Sequence, residues 1–508
     1  MKIARIQSPG TNLHLLMNQE RVLLSREVTT RQSVSPPPNY VAIGILLSGQ
    51  LDFPALECTL NAIVLRHPVL RSAIFPNPAI RQDERDTILR LFANSGLFEP
   101  GAYLYSVIED VRLSIWTVDL SGFSAAKRDE EIHLIVRQER AREFGYGNPP
   151  FMRACLLKVG EDEHLLLLFV NHVVSDAWSL RVIREEIPWL YAAVLEGREL
   201  PCVPLSFVDF TAWQNKMLET PHFNDDVCYW RQLWAEFGAD RIGFQHLPFV
   251  LVPPTVPNSS FGSVRGNFVY EETRDIRSFL RRWRLTLYML FVAAYSIVLR
   301  HYTGKERIAF WAHFSNRLRP EMETAVGLFV NTHLLGLSCP ADLECTNFLS
   351  QVRSVVLNSS MHQEMPIPHL WRILRCHPRY WDANILLDVY SMRDSDQVTV
   401  GGRVSFRTVS LPETSSPWLS SLGVYVEDYD EELLVISRYA IAAFPERAVK
   451  HLIEDIKTVV LAIISDPQQT ISSFAYVGEK YSEKWDPQSR EMNEFVVVGS
   501  DRIPGLPY

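Results

Sequence analysis

The chain has 508 residues, of which 47% are hydrophobic and 21% are charged, a composition typical of a globular protein with about two or three core-sized units. Its net charge of −9 and its lack of a long basic tract argue against a nucleic acid partner. The seven cysteines are scattered without a Cys-x-x-Cys spacing, which argues against a disulfide framework or zinc site and favours free thiols in the cytoplasm.

The first predicted elements follow an N-terminal segment that lacks the continuous apolar core of a secretory signal. Residues 40–52 predict a strand that ends in a glycine-containing turn. Residues 53–75 begin as a helix, with apolar residues three and four positions apart, and this helix stops at Pro68. Strands are predicted within residues 104–121, and residues 127–144 predict an amphipathic helix with mixed charges on its wet face.

A strand pair and a helix complete the first half. Residues 151–159 and 163–174 are joined by the charged turn GEDE, which predicts a hairpin. The run HLLLLFV within the second strand is apolar throughout, which is typical of a strand covered on both faces inside a sheet. Residues 179–197 predict a helix that ends near a glycine.

The second half again mixes helices and strands, after a loop-rich region that begins near residue 200. We therefore predict an N-terminal lobe of residues 1–200 and a C-terminal lobe of residues 201–508, with a small-molecule site between them. Residues 286–302 are the most apolar segment, but they are shorter than the roughly 20 residues of a membrane span, so we predict a buried helix and no membrane partner. The other predicted strands are 307–315, 382–391, 402–411, 422–428 and 432–440, and the other predicted helices are 349–363 and 446–466.

The sequence FVNHVVSDAWSL places His172 and Asp176 where the buried strand breaks into a loop before a helix. Histidine transfers protons near neutral pH, and catalytic residues favour such loop positions on a rigid scaffold. From spacing alone, a buried histidine at a strand end explains the pattern better than a catalytic one, and Asp176 can orient the histidine or pair with a distant arginine. No neighbouring cluster supplies further ligands, so the segment does not predict a metal site.

The segment NHVVSDAWSL resembles the His-His-x-x-x-Asp-Gly signature of the condensation domains of nonribosomal peptide synthetases. Six further blocks resemble this family in family order: MNQERVLL (17–24), HPVLRSAIF (67–75), PPFMRACLLKVGEDEHLLLL (149–168), FVDFTAWQNKML with CYWRQLW (207–218 and 228–234), SNRLRPEMETAVGLFVNT (315–332) and HQEMPIPHL (362–370). The resemblance covers nearly the whole chain and implies a mixed α/β fold, with two chloramphenicol-acetyltransferase-like lobes in a V-shaped pseudo-dimer and a tunnel between them.

The resemblance also implies a role for each matching residue. His172 occupies the position of the second signature histidine, which takes a proton from the acceptor or orients it. Asp176 is implied to be structural and to pair across the lobes with Arg317. The chain departs from the signature at Asn171, which replaces the first histidine and can supply hydrogen-bonding support, and at Ala177, which replaces the glycine.

Three consecutive residues are candidates for an oxyanion contact or a channel wall, namely Ala177, Trp178 and Ser179. Ala177 still offers a backbone N–H to an oxyanion, but its methyl group narrows the channel, and it is strained if the turn needs a positive φ. Trp178 can line the channel or belong to the core.

The resemblance implies an acyltransferase that joins an acyl or aminoacyl thioester on a carrier protein to an amine. The thioester is held by the phosphopantetheine arm of the carrier, and no tightly bound cofactor is expected. The sequence contains neither a nucleotide-binding loop nor a carrier segment, which favours a free-standing, monomeric enzyme. Two alternatives stay open: an ester-forming or CoA-dependent acyltransferase of the same fold, and a non-catalytic relative that docks a carrier protein.

Overall fold

The computed structural model describes the greater part of the chain. The described residues are 13–31, 39–200, 205–237, 247–250, 261–374, 385–391, 398–409, 411, 422–429 and 431–474. They form two six-stranded mixed sheets and one three-stranded sheet, with helices packed against the sheet faces. This architecture confirms the predicted mixed α/β fold class.

Every strand and helix predicted within the described residues is present, although residues 382–384 and 410 of two predicted strands lie outside the described residues. The structure adds further helices and strands that the sequence analysis did not predict. The strands are β1 (Leu13–His14), β2 (Tyr40–Gly49), β3 (Ser72–Pro76), β4 (Tyr103–Val107), β5 (Ile115–Asp119), β6 (Met152–Lys158), β7 (Glu163–Asn171), β8 (Phe261–Phe268), β9 (Arg307–Phe314), β10 (Asn331–Ser338), β11 (Ile385–Ser391), β12 (Val398–Val400), β13 (Val404–Val409), β14 (Leu422–Asp428) and β15 (Leu433–Ala440). The helices are α1 (Met17–Arg31), α2 (Phe53–Arg66), α3 (Gln82–Ser95), α4 (Ala125–Ala141), α5 (Ala177–Leu195), α6 (Phe207–Leu218), α7 (Asn224–Phe237), α8 (Tyr270–Trp283), α9 (Leu287–Thr303), α10 (Cys345–Met361), α11 (Ile367–Leu374) and α12 (Glu446–Ser465).

The first large sheet has the strand order β12-β13-β2-β7-β6-β5. Strands β6 and β7 form the predicted antiparallel hairpin, and β2 pairs with the other edge of β7. Alternate residues from Leu166 to Val170 enter the main hydrophobic cluster, whereas those from Leu165 to Phe169 enter a smaller cluster on the opposite face. Both faces of β7 are covered, in keeping with its apolar run from Leu165 to Val170, and the strand gives rigid support to the residues that follow it.

Two strands of the first sheet come from the second half of the chain. Strand β13 pairs antiparallel with β2, and β12 extends the sheet by pairing with β13. The predicted division into residues 1–200 and 201–508 therefore needs one amendment, because residues 398–409 complete the sheet of the first lobe. This pairing satisfies the backbone N–H and C=O groups along the edge of β2 that β7 leaves open. The division otherwise stays a prediction.

The second large sheet has the strand order β10-β9-β11-β14-β15-β8. Strand β11 runs parallel to both of its neighbours, and the remaining pairs are antiparallel. One face of this sheet, which carries Trp311, Leu386 and Ile436, joins the main hydrophobic cluster that also contains β7 residues. The opposite face packs against α9 and α12 in a separate cluster. One face of each sheet therefore contributes to a shared hydrophobic cluster, which also contains residues of several helices.

Helix α9 confirms the prediction of a buried helix in the apolar segment. The Thr286 side chain caps its first turn by accepting a hydrogen bond from the backbone N–H of Met289 (3.2 Å), and Gly304 ends the helix in the left-handed conformation with φ of 67°. No single helix in the described ranges is long and apolar enough to cross a membrane, and α8 and α9 meet that test only as a pair bent by 102°.

Candidate active site

A tight turn after β7 holds the first part of the candidate site. Asn171 is the last residue of the strand, and its backbone carbonyl accepts hydrogen bonds from Val174 N (3.1 Å) and Ser175 Oγ (2.7 Å). The side-chain oxygen of Asn171 accepts further hydrogen bonds from Val173 N (2.9 Å) and from Asn39 Nδ2 (3.3 Å). The buried amide at the first signature position thus fixes the backbone on either side of the next residue.

His172 projects from this turn with one ring nitrogen occupied and the other unbound among the described residues. Its Nδ1 lies 2.6 Å from the backbone carbonyl oxygen of Ser175. A carbonyl can only accept, so Nδ1 carries the hydrogen and Nε2 carries the lone pair. Burial lowers the pKa of His172, and this effect outweighs the opposing contributions of the Ser175 carbonyl and the Asp176 carboxylate. The ring is therefore neutral at pH 7, with Nε2 able to accept a proton.

Asp176 is the N-cap of α5 and makes no hydrogen bond to the histidine ring. Its Oδ1 accepts hydrogen bonds from the backbone N–H and hydroxyl of Ser179 (2.8 and 2.7 Å). Its Oδ2 accepts hydrogen bonds from the backbone N–H groups of Phe329 (3.0 Å) and Val330 (3.2 Å), which lie just before β10 of the second sheet. One buried carboxylate therefore connects the start of α5 to the other half of the chain.

The structure brings Asp176 and Arg317 into direct contact, with 3.1 Å between Oδ1 and Nη2. The two side chains are 4% and 1% exposed, so the ion pair is shielded from water. Arg317 Nη1 also donates to the backbone carbonyls of Met322 and Ala325, which shapes the segment 317–330. The carboxylate and the guanidinium are thus both paired and hydrogen-bonded, as buried charges require.

Ser179 lies inside this network and not on an open surface. It is fully buried, and its hydroxyl oxygen lies 2.7 Å from Asp176 Oδ1, 3.3 Å from Arg317 Nη2 and 3.0 Å from the backbone nitrogen of Gly327. A contact between this hydroxyl and a substrate would require the loss of these bonds. The predicted oxyanion or channel role of Ser179 thus has no geometric support.

Ala177 and Trp178 begin α5. Ala177 is exposed and does not adopt a positive φ, so alanine in place of the signature glycine strains nothing. The backbone N–H groups of both residues precede the first intrahelical hydrogen bond, so they point outward from a helix N-terminus, where negative charge is favoured. The indole of Trp178 donates to the backbone carbonyl of Glu323 (2.9 Å), and Arg181 and Arg317 lie against its ring.

Consecutive polar residues of α1 connect the ends of the two sheets. The side chain of Asn18 donates to the carbonyl of Val330 (3.2 Å) and to Oδ1 of Asn331 (3.3 Å). The side chain of Gln19 donates to the carbonyl of Val173, beside His172 (2.8 Å). Sequence reasoning used this segment only as a family block. In the sequence, the signal for its structural role was the polar pair Asn18 and Gln19 ahead of an apolar run, and both residues are buried in the structure.

The comparisons with known proteins agree with this geometry. A family model described as the condensation domain matches residues 11–485. The chain belongs to the condensation domain family. The resemblance predicted from the seven sequence blocks is thereby confirmed.

Relatives of this condensation domain include very long synthetases. Malpinin synthetase of Mortierella alpina is 26% identical over 445 residues, which cover 85% of this chain and 5% of the relative. Tyrocidine synthase 3 of Brevibacillus parabrevis is 25% identical over 444 residues, which cover 86% of this chain and 6% of the relative. This chain therefore spans about one-twentieth of these curated relatives.

Solved structures confirm the fold. The condensation domain from the monacolin K polyketide synthase MokA superposes with a TM-score of 0.74 at 17% identity, covering 91% of this chain and 100% of that chain. The X-domain in a complex with OxyB from teicoplanin biosynthesis superposes with a TM-score of 0.72 at 18% identity, covering 93% and 98%. Condensation domains of nonribosomal peptide synthesis act on acyl groups carried by phosphopantetheine arms and generally form amides.

Gly327 provides a test of the contact between the segment 317–330 and α6. A Cβ at this position would overlap the ring and Cβ of Phe207 on α6. We expect Gly327→Ala to lower the free energy of unfolding by about 1–3 kcal/mol, because the buried ring must move. Chemical denaturation measures this change. In the control Gly122→Ala, the new Cβ meets no atom within 4 Å, so an equal loss in both variants would contradict the prediction.

Glu20 of α1 predicts a pH-dependent stability. Its carboxylate accepts hydrogen bonds from the backbone N–H groups of Gly101 (2.8 Å) and Tyr103 (3.0 Å), but burial raises its pKa from 4.5 to about 7. The folded state therefore keeps the proton to higher pH, and stability falls as pH rises from 4.5 to 7. The quantity to compare is the free energy of unfolding of the wild type minus that of Glu20→Gln. We expect this difference to fall by about 3 kcal/mol between pH 4.5 and 8.

Urea denaturation at a series of pH values measures that difference, with exposed Glu161→Gln as the control. A difference that does not change with pH would show that Glu20 titrates normally in the folded protein.

Two cavities of the described residues lie away from His172. One, of about 510 Å³, is lined by residues of α4, β5 and β6, and the other, of about 370 Å³, lies between α5 and the β12-β13 strands. His172 lines neither of them. Within the described ranges, no group of three or more His, Cys, Asp or Glu side chains is arranged to hold a metal ion.

Proposed function

We propose that this condensation domain forms an amide bond between an amine and an acyl or aminoacyl group held as a thioester on a carrier protein. The observation that supports this most directly is the arrangement of His172. Its Nδ1 is bound to a backbone carbonyl, its Nε2 has no partner among the described residues, and burial lowers its pKa. Such a ring can accept a hydrogen bond or a proton from an attacking amine.

In the proposed reaction, the amine nitrogen bonds to the thioester carbonyl carbon, and the π electrons move to oxygen. Nε2 of His172 takes the proton that the amine loses. The oxyanion is stabilised by the N–H groups of Ala177 and Trp178, at the N-terminus of α5. Collapse of the intermediate restores the carbonyl, breaks the C–S bond and releases the phosphopantetheine thiolate, which is then protonated. Holding both reactants in place supplies much of the rate.

We also propose that donor and acceptor enter a tunnel between the lobes from opposite ends. The contacts of Asp176 with Arg317, Phe329 and Val330 support this, because they join the two halves of the chain next to His172. Both walls come from one chain, so a monomer suffices, with the carrier protein as a separate partner. The thioester is already activated, so no tightly bound cofactor is needed. The scattered cysteines favour a cytoplasmic location.

The experiment that tests the function uses the purified 508-residue protein with separately purified acyl-carrier proteins and a panel of amines. Mass spectrometry detects the amide. The same acyl groups on CoA, and alcohols in place of amines, test the CoA-dependent and ester-forming alternatives. Amide from the carrier-bound donor supports the proposal. Efficient turnover of acyl-CoA without a carrier, or of alcohols in preference to amines, would replace it with one of the alternatives.

A second candidate is a non-catalytic module that docks a carrier protein. It is favoured by the two departures from the family signature, Asn171 and Ala177. A related fold, the X-domain, has been solved in a complex with OxyB. This candidate predicts carrier binding that survives His172→Ala, measured by calorimetry, and no amide from any donor. Amide formation by the wild type would exclude it.

A further inference from the structure

A buried histidine and a buried aspartate lie next to each other on one face of the second sheet. His313 lies near the end of β9, and Asp388 lies on the neighbouring strand β11. The Nδ1 atom of His313 is 2.8 Å from Oδ2 of Asp388, and both side chains are about 90% buried. Sequence reasoning treated both segments only as strands, although a histidine and an aspartate within apolar strands were a usable signal.

Strand alternation places this pair on the sheet face that belongs to the main hydrophobic cluster. Trp311 precedes His313 by two residues, and Leu386 precedes Asp388 by two residues. Trp311 and Leu386 both belong to the hydrophobic cluster that also contains Val170 and Val173 around the candidate site. Because side chains two residues apart in a strand share a face, His313 and Asp388 lie on the same sheet face as these two members of the cluster.

Two sets of contacts bring His313 and His172 toward each other. Each histidine stands four residues before one member of the ion pair, His172 before Asp176 and His313 before Arg317. Asn18 and Gln19 independently connect the start of β10, which pairs with the end of β9, to the turn that carries His172. Burial is the main cause that lowers the pKa of His172, and the nearby side chains of His313 and Arg21 act in the same direction.

Asp388 fixes the orientation of the His313 ring. Its Oδ1 accepts a hydrogen bond from the backbone N–H of Val389 (2.9 Å), which leaves Oδ2 for His313. Burial and the Asp388 carboxylate raise the pKa of both Tyr390 and Tyr288, so these phenols remain neutral beside it. A carboxylate accepts only, so Nδ1 of His313 carries the hydrogen, and Nε2 is unbonded within the described part of the chain.

We propose that His313 is a second catalytic acid–base group, that it protonates the leaving thiolate, and that Asp388 is its positioning residue. This inference rests on the proposed amide-forming function. It assigns different tasks to the two histidines because their partners differ. His172 is held by a neutral carbonyl and acts as the base, whereas His313 is held by a carboxylate and acts as the acid.

The proton balance of the step is complete. His172 begins neutral and His313 begins protonated. Attack forms the C–N bond and transfers one amine proton to Nε2 of His172. Collapse re-forms the C=O bond and breaks the C–S bond, and the sulfur takes the proton from Nε2 of His313. Transfer of one proton from His172 to His313 through water restores the starting state.

Donors with different leaving groups distinguish a catalytic acid from a residue that is only structural. We expect His313→Gln to lower kcat about 10²-fold with an alkyl thioester donor and less than about fivefold with an aryl thioester, because an aryl thiolate leaves without protonation. Asp388→Asn should show the same pattern with a smaller loss. His172→Gln, the matched control, should lose equally with both donors. Equal losses in His313→Gln for both donors would overturn the acid role.

A second measurement does not depend on turnover. With ¹³Cε1-labelled histidine, NMR follows the titration of each ring from pH 4 to 9, and the variants assign the signals. Removing a nearby positive charge should raise the titration midpoint of His172 in His313→Gln by roughly half a pH unit. An unchanged midpoint would overturn the inference even in an active protein. A raised midpoint in a protein that forms no amide would overturn the proposed function while supporting the placement of the pair.

Discussion

Replacement of His172 by alanine is expected to lower the rate of amide formation about 10³-fold while the protein remains folded. The ring is partly exposed, and its hydrogen bond to the Ser175 carbonyl joins two residues of the same turn. Removal of the ring therefore removes little of the hydrophobic core. Glutamine at this position keeps the size and a polar end but cannot take a proton at neutral pH. We expect an equal loss in His172→Gln, which would show that proton transfer matters and not orientation alone.

The matched control for this experiment lies on the same strand. His164, near the start of β7, is eight residues from His172 and lies beside the hairpin turn. His164→Gln should retain the wild-type rate, measured as amide formed per minute under saturating donor and acceptor. Near-native turnover of His172→Ala, with an unchanged circular dichroism spectrum, would remove His172 from the mechanism.

The pH dependence of the rate should reflect a base whose pKa is lowered. Burial lowers the pKa of His172 below 6.5, so the neutral form that accepts a proton persists to lower pH than for an exposed histidine. The acid limb of kcat/KM should therefore have its midpoint below pH 6.5, and activity should fall as the pH drops through it. A midpoint above 6.5 would indicate that another group controls this limb.

Local elements were predictable because their signals are local. The hydroxyl of Thr286 and the conformational freedom of Gly304 fix the ends of α9, and both can be identified without tertiary information. The apolar run of β7 indicated a strand buried on both faces, and the charged turn indicated its hairpin partner.

Non-local features were not predictable in this way. Strands β12 and β13 lie about 350 residues after β2, and no local pattern indicates that they complete its sheet. Likewise, the side chains of His313 and Asp388 meet only because β9 and β11 are neighbours in the sheet, although 75 residues separate them. The contact between Asp176 and Arg317 was expected from family resemblance alone, since 141 residues separate them.

The largest effect on stability is expected at Asp176. The five atoms that hydrogen-bond to its carboxylate are all donors: Ser179 N, Ser179 Oγ, Arg317 Nη2, Phe329 N and Val330 N. An asparagine there must turn its NH₂ group toward some of these donors in either orientation, and Arg317 loses its negative partner. We expect Asp176→Asn to lower the free energy of unfolding by about 3–5 kcal/mol, measured by chemical denaturation.

Asp52 provides the matched control because it also caps a helix. It is exposed, and its side chain accepts a single hydrogen bond at the start of α2, from Ala55 N (2.9 Å). Asparagine is as good an N-cap as aspartate, so Asp52→Asn should change stability by less than about 0.5 kcal/mol. Similar small losses in both variants would mean that Asp176 acts only as a cap.

A double-mutant cycle then separates the ion pair from the other contacts. Arg317→Met leaves the carboxylate with its four remaining donors, but the carbonyls of Met322 and Ala325 lose theirs. If the charge pair is the main contribution, the double variant Asp176→Asn/Arg317→Met should be more stable than the sum of the single losses predicts, by about 1–3 kcal/mol. If the two single losses add to the loss of the double variant, the stability that Asp176 provides comes from its hydrogen bonds to backbone N–H groups. The connection between the two sheets beside His172 would then depend on Phe329 and Val330, and not on the arginine.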